Sequence, residues 1–184
     1  MFFDKMVPSK WVIRWASLIQ QGGRVLDLAC GNGRHSIFLA SLGFDVVAID
    51  RDEQKLTNFS QFKKITPICS DLEKRPWPLS DDKFNGIIIT NYLHRPLLPH
   101  IVRALDKPGV LIYETFGEGN EAFGKPTNKD FLLLRNELFN TLSETLHIVS
   151  FEQGYVVNPK KAIVQRVCAI FNDNSMNIQL DREG

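Results

Sequence analysis

The segment VLDLACGNGRHSIFLA, Val25 to Ala40, decides the fold. Its first four residues are strand-forming and apolar apart from Asp27, and they run into a turn of small residues that ends at Gly31-Asn32-Gly33. From Gly33 onward, Ile37, Phe38 and Ala40 to Leu42 recur at helical spacing, with Arg34 and His35 on the other side. A strand, a tight turn and a helix start in direct succession aim free backbone N–H groups and the positive end of a helix dipole into one small space. A ligand can sit there.

Working outward, the alternation repeats. Upstream, Ser9 is placed to cap a helix with the stripe Trp11, Val12, Trp15, Leu18 and Ile19, which Gly22-Gly23 ends. The patterns predict strands over 24–28, 45–49, 66–69, 84–90 and 110–116, and helices over 34–42, 53–63, 95–105 and 130–140. A closing pair of strands is expected over 145–157 and 162–172. The glycine- and proline-bearing stretch 117–129 is longer than ordinary connections, hence a lid or a tolerated surface loop; as a lid it would bring Asn120 and Phe123 to a ligand. Strands alternating with helices mean a mostly parallel sheet covered on both faces. Right-handed crossovers gather every strand's carboxyl end on one edge, where ligands bind near the switch point.

The 184 residues, 43% of them hydrophobic, fit one domain with a sizeable core over 1–172, followed by a polar tail at 173–184. With 22 basic against 21 acidic residues, overall charge neither supports nor excludes a nucleic-acid partner and points to no membrane surface. Cys30, Cys69 and Cys168 show no paired spacing and suit a reducing compartment; with no signal-like N-terminus and no long apolar run, a cytoplasmic location is expected. The four histidines are dispersed, so no metal site is expected.

Three strands in succession end in a carboxylate: Asp27, Asp50 and Asp71. Any one alone is an ordinary turn residue or cap. Together, beside a glycine turn, they describe a nucleoside site. Asp27 would fix the 29–33 turn through backbone N–H groups and receive a ligand ammonium. Asp50 would accept from both ribose hydroxyls. Asp71 would accept from the exocyclic amine of adenine, with Leu72 supplying a backbone N–H and an apolar wall. A nicotinamide dinucleotide site is the rival. Its fingerprint is only partly met, because Ser36 stands where a third small residue belongs, and a carboxylate at Asp27 would repel a pyrophosphate.

VLDLACGNGRHSIFLA, VVAIDRD and ICSDLEKRPWPL together resemble the successive motifs of class I S-adenosylmethionine-dependent methyltransferases, the first being similar to the tellurite-resistance methyltransferase-like branch. The resemblance covers roughly residues 24–116. It implies a Rossmann-like, doubly wound, mostly parallel seven-stranded sheet with an antiparallel last strand and helices on both faces, and a helix within 1–22 covering the site. Asp27, Ala29, Gly31 and Gly33 would surround the methionine part of the cofactor, Asp50 would hold the ribose and Asp71 with Leu72 the adenine, with Arg51 and Asn91 as further cofactor contacts. Ala29 departs from the family pattern, in which a glycine is usual. The implied activity moves a methyl group from S-adenosylmethionine, leaving S-adenosylhomocysteine, to a heteroatom of a small molecule or small anion. A silent cofactor- or partner-binding module, or an RNA or protein methyltransferase, are the alternatives.

The acceptor end falls at TNYLHRPLLP. Asn91 and Tyr92 would touch the methyl group or the acceptor, His94 would be a general base, and Arg95 would hold an anion. Each also has a plainer reading as a cap or a satisfied structural side chain. Glu114, inside an apolar strand, needs a partner, and Arg95 or His94 is the expected one. Trp11 and Trp15 are expected to pack in the core, with Trp11 alternatively lining the site. His35 is expected to face solvent and Cys30 to be a packing residue.

Overall fold

The computed structural model describes residues 6–171 and Ile178. Seven strands, β1 (Arg24–Leu28), β2 (Asp45–Asp50), β3 (Ile65–Cys69), β4 (Phe84–Thr90), β5 (Leu105–Phe116), β6 (His147–Val156) and β7 (Ala162–Phe171), form one sheet in the order β3-β2-β1-β4-β5-β7-β6. β7 runs antiparallel to both β5 and β6, and the other pairs are parallel. The expected doubly wound sheet with an antiparallel last strand is thus the observed one. The chain builds outward from β1 to β2 and β3, then crosses to β4. The crevice at the carboxyl ends of β1 and β4 is therefore the switch point at which such sheets bind ligands.

Among the described residues five α-helices flank the sheet: α1 (Lys10–Trp15), α2 (Arg34–Ser41), α3 (Glu53–Leu56), α4 (Leu98–Ala104) and α5 (Glu137–Leu142). Alternate residues of the central strands feed two cores, as the pleat requires. Leu26, Leu28, Ile87 and Ile89 pack toward α4 and α5, while Val25, Ala48 and Ile88 pack toward α1 and α2. Each fully buried aliphatic side chain contributes about 1.5–3 kcal/mol.

Ser9 caps α1 as its type suggests, its hydroxyl accepting from the Trp11 N–H at 3.1 Å. Trp11 and Trp15 are buried edge-to-face at 5.6 Å, and the Trp11 indole donates to the Val167 carbonyl at 3.2 Å. Both are core residues. The expected tail at 173–184 lies outside the described residues except for Ile178, which packs against the α1-side core.

Three helices are shorter than periodicity suggests. The one expected over 95–105 is a 3-10 turn at Arg95–Leu97 followed by α4, which ends at Ala104. The helix expected over 53–63 stops at Leu56 and tightens to a 3-10 turn at Thr57–Phe59, where the Thr57 hydroxyl donates to the Gln54 carbonyl at 2.7 Å. Side-chain competition of this kind favours turns over helix interiors. The helix expected over 130–140 begins only at Glu137, preceded by a 3-10 turn at Lys129–Phe131. The carbonyls of Asp130 and Leu132, which a helix would need internally, accept from the Arg95 guanidinium at 2.7 and 2.8 Å. β5 starts earlier than the expected residue 110, at Leu105, which pairs with Phe84 before a register shift at Gly86. No helix among the described residues is long and apolar enough to cross a membrane.

Candidate active site at the carboxyl edge

A cleft of about 220 Å³ opens at the carboxyl ends of β1 to β4. Ala29 follows β1, Asp50 and Arg51 close β2, and Asp71 and Leu72 follow β3; all line it, with Tyr92 from the end of β4. Asp50 is the hinge of the arrangement. Its Oδ2 accepts from the Gly31 N–H at 2.8 Å and its Oδ1 from the Asp52 N–H at 3.0 Å. A carboxylate offers about four lone-pair sites, so two remain for a ligand's hydroxyls. The Asp71 Oδ1 accepts from the Glu73 N–H at 3.1 Å. The neighbouring Leu72 N–H has no acceptor among the described residues and is available to a ligand. Donors, acceptors and an apolar wall suited to a nucleoside thus meet in one place.

The turn behind the cleft is built from left-handed residues: Ala29, Gly31 and Gly33 have φ of 56°, 57° and 80°. Glycine adopts these values freely, whereas alanine is strained there by about 1–2 kcal/mol. The alanine at this family position is therefore a conformational departure rather than merely a tighter fit. Gly33 is needed twice over, because a Cβ there would lie 2.1 Å from the Phe59 ring.

Asp27 corrects one expectation. It is buried beneath the turn, outside the lining of the cleft, and its Oδ2 accepts from the Ser36 hydroxyl at 2.5 Å instead of tying the turn's N–H groups. Asp50 performs the tying. Burial pushes the Asp27 carboxyl up to about 6, against the lowering effect of the Ser36 bonds. Burial likewise pushes the Cys30 thiol up, so it is no nucleophile at neutral pH.

His35 corrects another. It is 1% exposed, not solvent-facing. The Ser9 N–H donates to its Nε2 at 3.1 Å, which leaves the proton on Nδ1, 3.3 Å from the Thr90 hydroxyl. Burial and the nearby Arg34 charge push its pKa down to about 3, so the ring is neutral. Ser9 also donates from its hydroxyl to Glu114 Oε1 at 2.8 Å. Glu114 completes itself with Arg166, its cross-strand partner on β7, at 3.3 Å, and not with Arg95 or His94. One serine thus fastens α1 to α2 and to β5.

At the end of β4 the four expected residues separate. Asn91 is exposed with φ of 55°, and its N–H donates to the Glu114 carbonyl at 2.9 Å. Tyr92 lines the cleft, its backbone pinned by the Tyr113 hydroxyl at 2.9 Å and its own hydroxyl without a hydrogen-bond partner among the described residues. His94 is half-buried just before the turn that leads into α4. Arg95 is committed elsewhere. It binds Glu137 through two donors at 2.6 and 3.0 Å besides the two carbonyls already named, so its fork is filled by the protein rather than held out for an anion. Among the described residues no group of three or more His, Cys, Asp or Glu side chains is arranged to hold a metal ion.

This geometry has relatives. The sequence model of the family described as Tellurite resistance protein TehB matches residues 5–107. The chain is 32% identical over 128 residues to the putative methyltransferase YqeM of Bacillus subtilis (strain 168), covering 61% of this chain and 51% of that protein. It thus spans about half the length of that curated relative. The crystal structure of TehB from Haemophilus influenzae superposes with a TM-score of 0.68 at 21% identity, over 86% of this chain and 60% of that one. Burkholderia thailandensis 1,6-didemethyltoxoflavin-N1-methyltransferase, solved with 1,6-didemethyltoxoflavin and S-adenosylhomocysteine, gives a TM-score of 0.67 at 17% identity, over 92% and 80% of the two chains. At these identities the structural matches speak for the fold, which is the Rossmann-like methyltransferase sheet. The family match covers more than half of the 184 residues and includes the glycine turn, Asp50 and Asp71. The chain belongs to the TehB family.

Proposed function

We propose that the chain is an S-adenosylmethionine-dependent methyltransferase acting on a heteroatom of a small-molecule acceptor, in the cytoplasm. The convergence of Asp50, Asp71 and Leu72 on one cleft behind a left-handed turn carries this reading, and membership of the TehB family supports it. In the proposed complex Asp50 accepts from the ribose hydroxyls with its two remaining lone-pair sites. Asp71 and the free Leu72 N–H read the adenine edge, and Arg51 closes the ribose side. The turn at Ala29, Gly31 and Gly33 makes room for the amino-acid tail, and Asp27 beneath it favours the positive end of that tail.

When bound, S-adenosylmethionine supplies a methyl group on a sulfonium, which a nucleophile takes in line while the bonding electron pair stays on sulfur. The chain's own work is therefore alignment and exclusion of water. Asn91, Tyr92 and His94 are the proposed groups on the acceptor side, with His94 free to take a proton where the acceptor carries one. Arg95 has no place in this proposal, because Glu137 fills it. A small acceptor is in keeping with the toxoflavin-precursor methyltransferase among the structural neighbours.

Calorimetry with S-adenosylmethionine and S-adenosylhomocysteine tests the cofactor. No heat with either, from folded protein, removes the proposal. A turnover screen across oxyanions, amines, thiols and tRNA then tests the acceptor, and binding without turnover on any of them would leave a silent module instead.

A further inference from the structure

A second cavity, of about 140 Å³, lies just past the end of β5 and shares no lining residue with the cleft over β1 to β4. Its lining includes two glutamines that are cross-strand partners, Gln153 of β6 and Gln165 of β7, and Gln165 is 1% exposed. Each commits its carbonyl oxygen to a backbone N–H of the segment leading into α5. Gln153 Oε1 accepts from Asn136 at 2.8 Å and Gln165 Oε1 from Leu138 at 3.2 Å. A backbone N–H can be met only by the amide oxygen, so these bonds fix which end of each side chain is nitrogen. Gln165 Nε2 gives one hydrogen to the Leu134 carbonyl. Its other hydrogen, and both of those on Gln153, have no acceptor among the described residues.

Arg135 and Glu118 also line the cavity, and both are exposed. Among the described residues the Arg135 guanidinium makes no hydrogen bond or ion pair, and the Glu118 carboxylate has no partner. Leu133 and Ile163 supply apolar wall. The segment that carries Leu133 and Arg135 is braced without a ligand. Arg95 holds the Asp130 and Leu132 carbonyls, and Leu133 pairs through its backbone with Phe116 and Glu118. Donors held in this way lose little freedom on binding.

The chemistry of the lining selects a ligand. Uncommitted amide N–H groups beside a guanidinium call for a carboxylate. The Glu118 charge in the same cavity repels a plain anion, so the ligand must also carry a cation. A cavity of about 150 Å³ takes a benzene ring, about six non-hydrogen atoms. We propose that this cavity binds a small zwitterion, an α-amino acid of about the size of alanine, with its carboxylate on Arg135 and the glutamine amides and its ammonium toward Glu118.

Proton–nitrogen correlation spectra of the full chain test this, because the side-chain amides of Gln153 and Gln165 report directly. L-alanine is compared with propionate, which lacks the ammonium, and with ethylamine, which lacks the carboxylate. L-alanine should move the two amides saturably, and each truncated probe should bind roughly tenfold more weakly or worse, the scale of one lost charge-assisted contact. Arg135→Gln should weaken L-alanine and propionate by at least about tenfold, whereas Glu118→Gln should weaken L-alanine and not propionate. Both side chains are exposed and unpartnered, and an otherwise unchanged spectrum shows that each variant is folded. No saturable shift with L-alanine overturns the inference. So does an Arg135→Gln variant that binds as wild type does, propionate that binds wild type as tightly as L-alanine, or shifts confined to the cleft around Asp50 and Leu72. No cofactor is added, so the outcome is independent of the methyl-transfer reading.

Discussion

Asp27→Asn should make the protein more stable and a poorer binder at once. The folded carboxyl has its pKa raised from 3.8 to about 6 by burial, so between those values the folded state keeps a proton that the unfolded state has lost. Stability attributable to this residue therefore falls as pH rises through that window, and the penalty is complete above about pH 6. Two pH units at 1.36 kcal/mol each set its upper size at about 3 kcal/mol. Asparagine keeps the shape and can accept the Ser36 hydroxyl, but its new N–H groups need partners. Their cost of about 1–3 kcal/mol trims the gain to at most about 2 kcal/mol at pH 7.5. For a domain of this size that is at most about 8 °C in melting temperature. Urea unfolding at several pH values between about 4 and 7.5 is the assay, read as the difference between variant and wild type. His35 titrates in both proteins and cancels in that difference. The gain should grow steadily with pH, while calorimetry shows weaker S-adenosylhomocysteine binding in the variant. A difference that stays flat across the range, or a variant less stable at pH 7.5, refutes the account of Asp27 as a desolvated carboxylate.

Asp50→Ala should weaken S-adenosylhomocysteine by about 1–3 kcal/mol in calorimetry, the scale for stranding hydrogen-bonding groups of a ligand; unchanged affinity rejects the ribose assignment. Gly33→Ala should destabilise by roughly 2–5 kcal/mol, combining left-handed strain with overpacking against Phe59, and Phe59→Leu should restore part of it in chemical denaturation. Ala29→Gly, at a position already left-handed, should stay within about 1 kcal/mol of wild type, since relief of strain is offset by added chain entropy. His35 has its folded pKa lowered from 6.5 to about 3, so the stability it supplies is present above pH 6.5 and drains away as pH falls toward 3; His35→Gln should flatten that acid limb in a melting series.

Much of the architecture could be read before any coordinates. The strand–turn–helix at 25–40 and the double-sided apolar run of β4 carry strong periodic signals, and the seven strands lie close to where those signals put them. The places of Asp50, Asp71 and Leu72 followed from topology, because parallel strands collect their carboxyl ends on one edge. What periodicity could not convey was pairing between distant residues. Arg95 meets Glu137 across 42 positions and thereby cuts short the helix expected over 130–140. His35 looks like a polar-face residue until the N-terminal segment folds over it, 26 residues away in sequence. Glu114 and Arg166 become partners only once the β5–β7 register is known. Asp27 differs from the expectation in one respect, because the turn's N–H is tied by Asp50 while Asp27 lies beneath the turn with Ser36; a carboxylate after a strand gives no hint which it will do.

Asp50 serves two masters. The same carboxylate that grips the Gly31 N–H faces the cleft, so in the proposed complex the shape of the turn and the reception of a sugar are one mechanical joint. Glutamate would push the joint apart, and asparagine would offer a donor where two acceptors are wanted. Drift at this position is penalised on both sides of the joint, which leaves selection little room to adjust one task without spoiling the other. Tuning of cofactor affinity in this lineage should therefore be sought at the flanking Arg51 and Leu72, where a change alters the welcome without bending the doorframe.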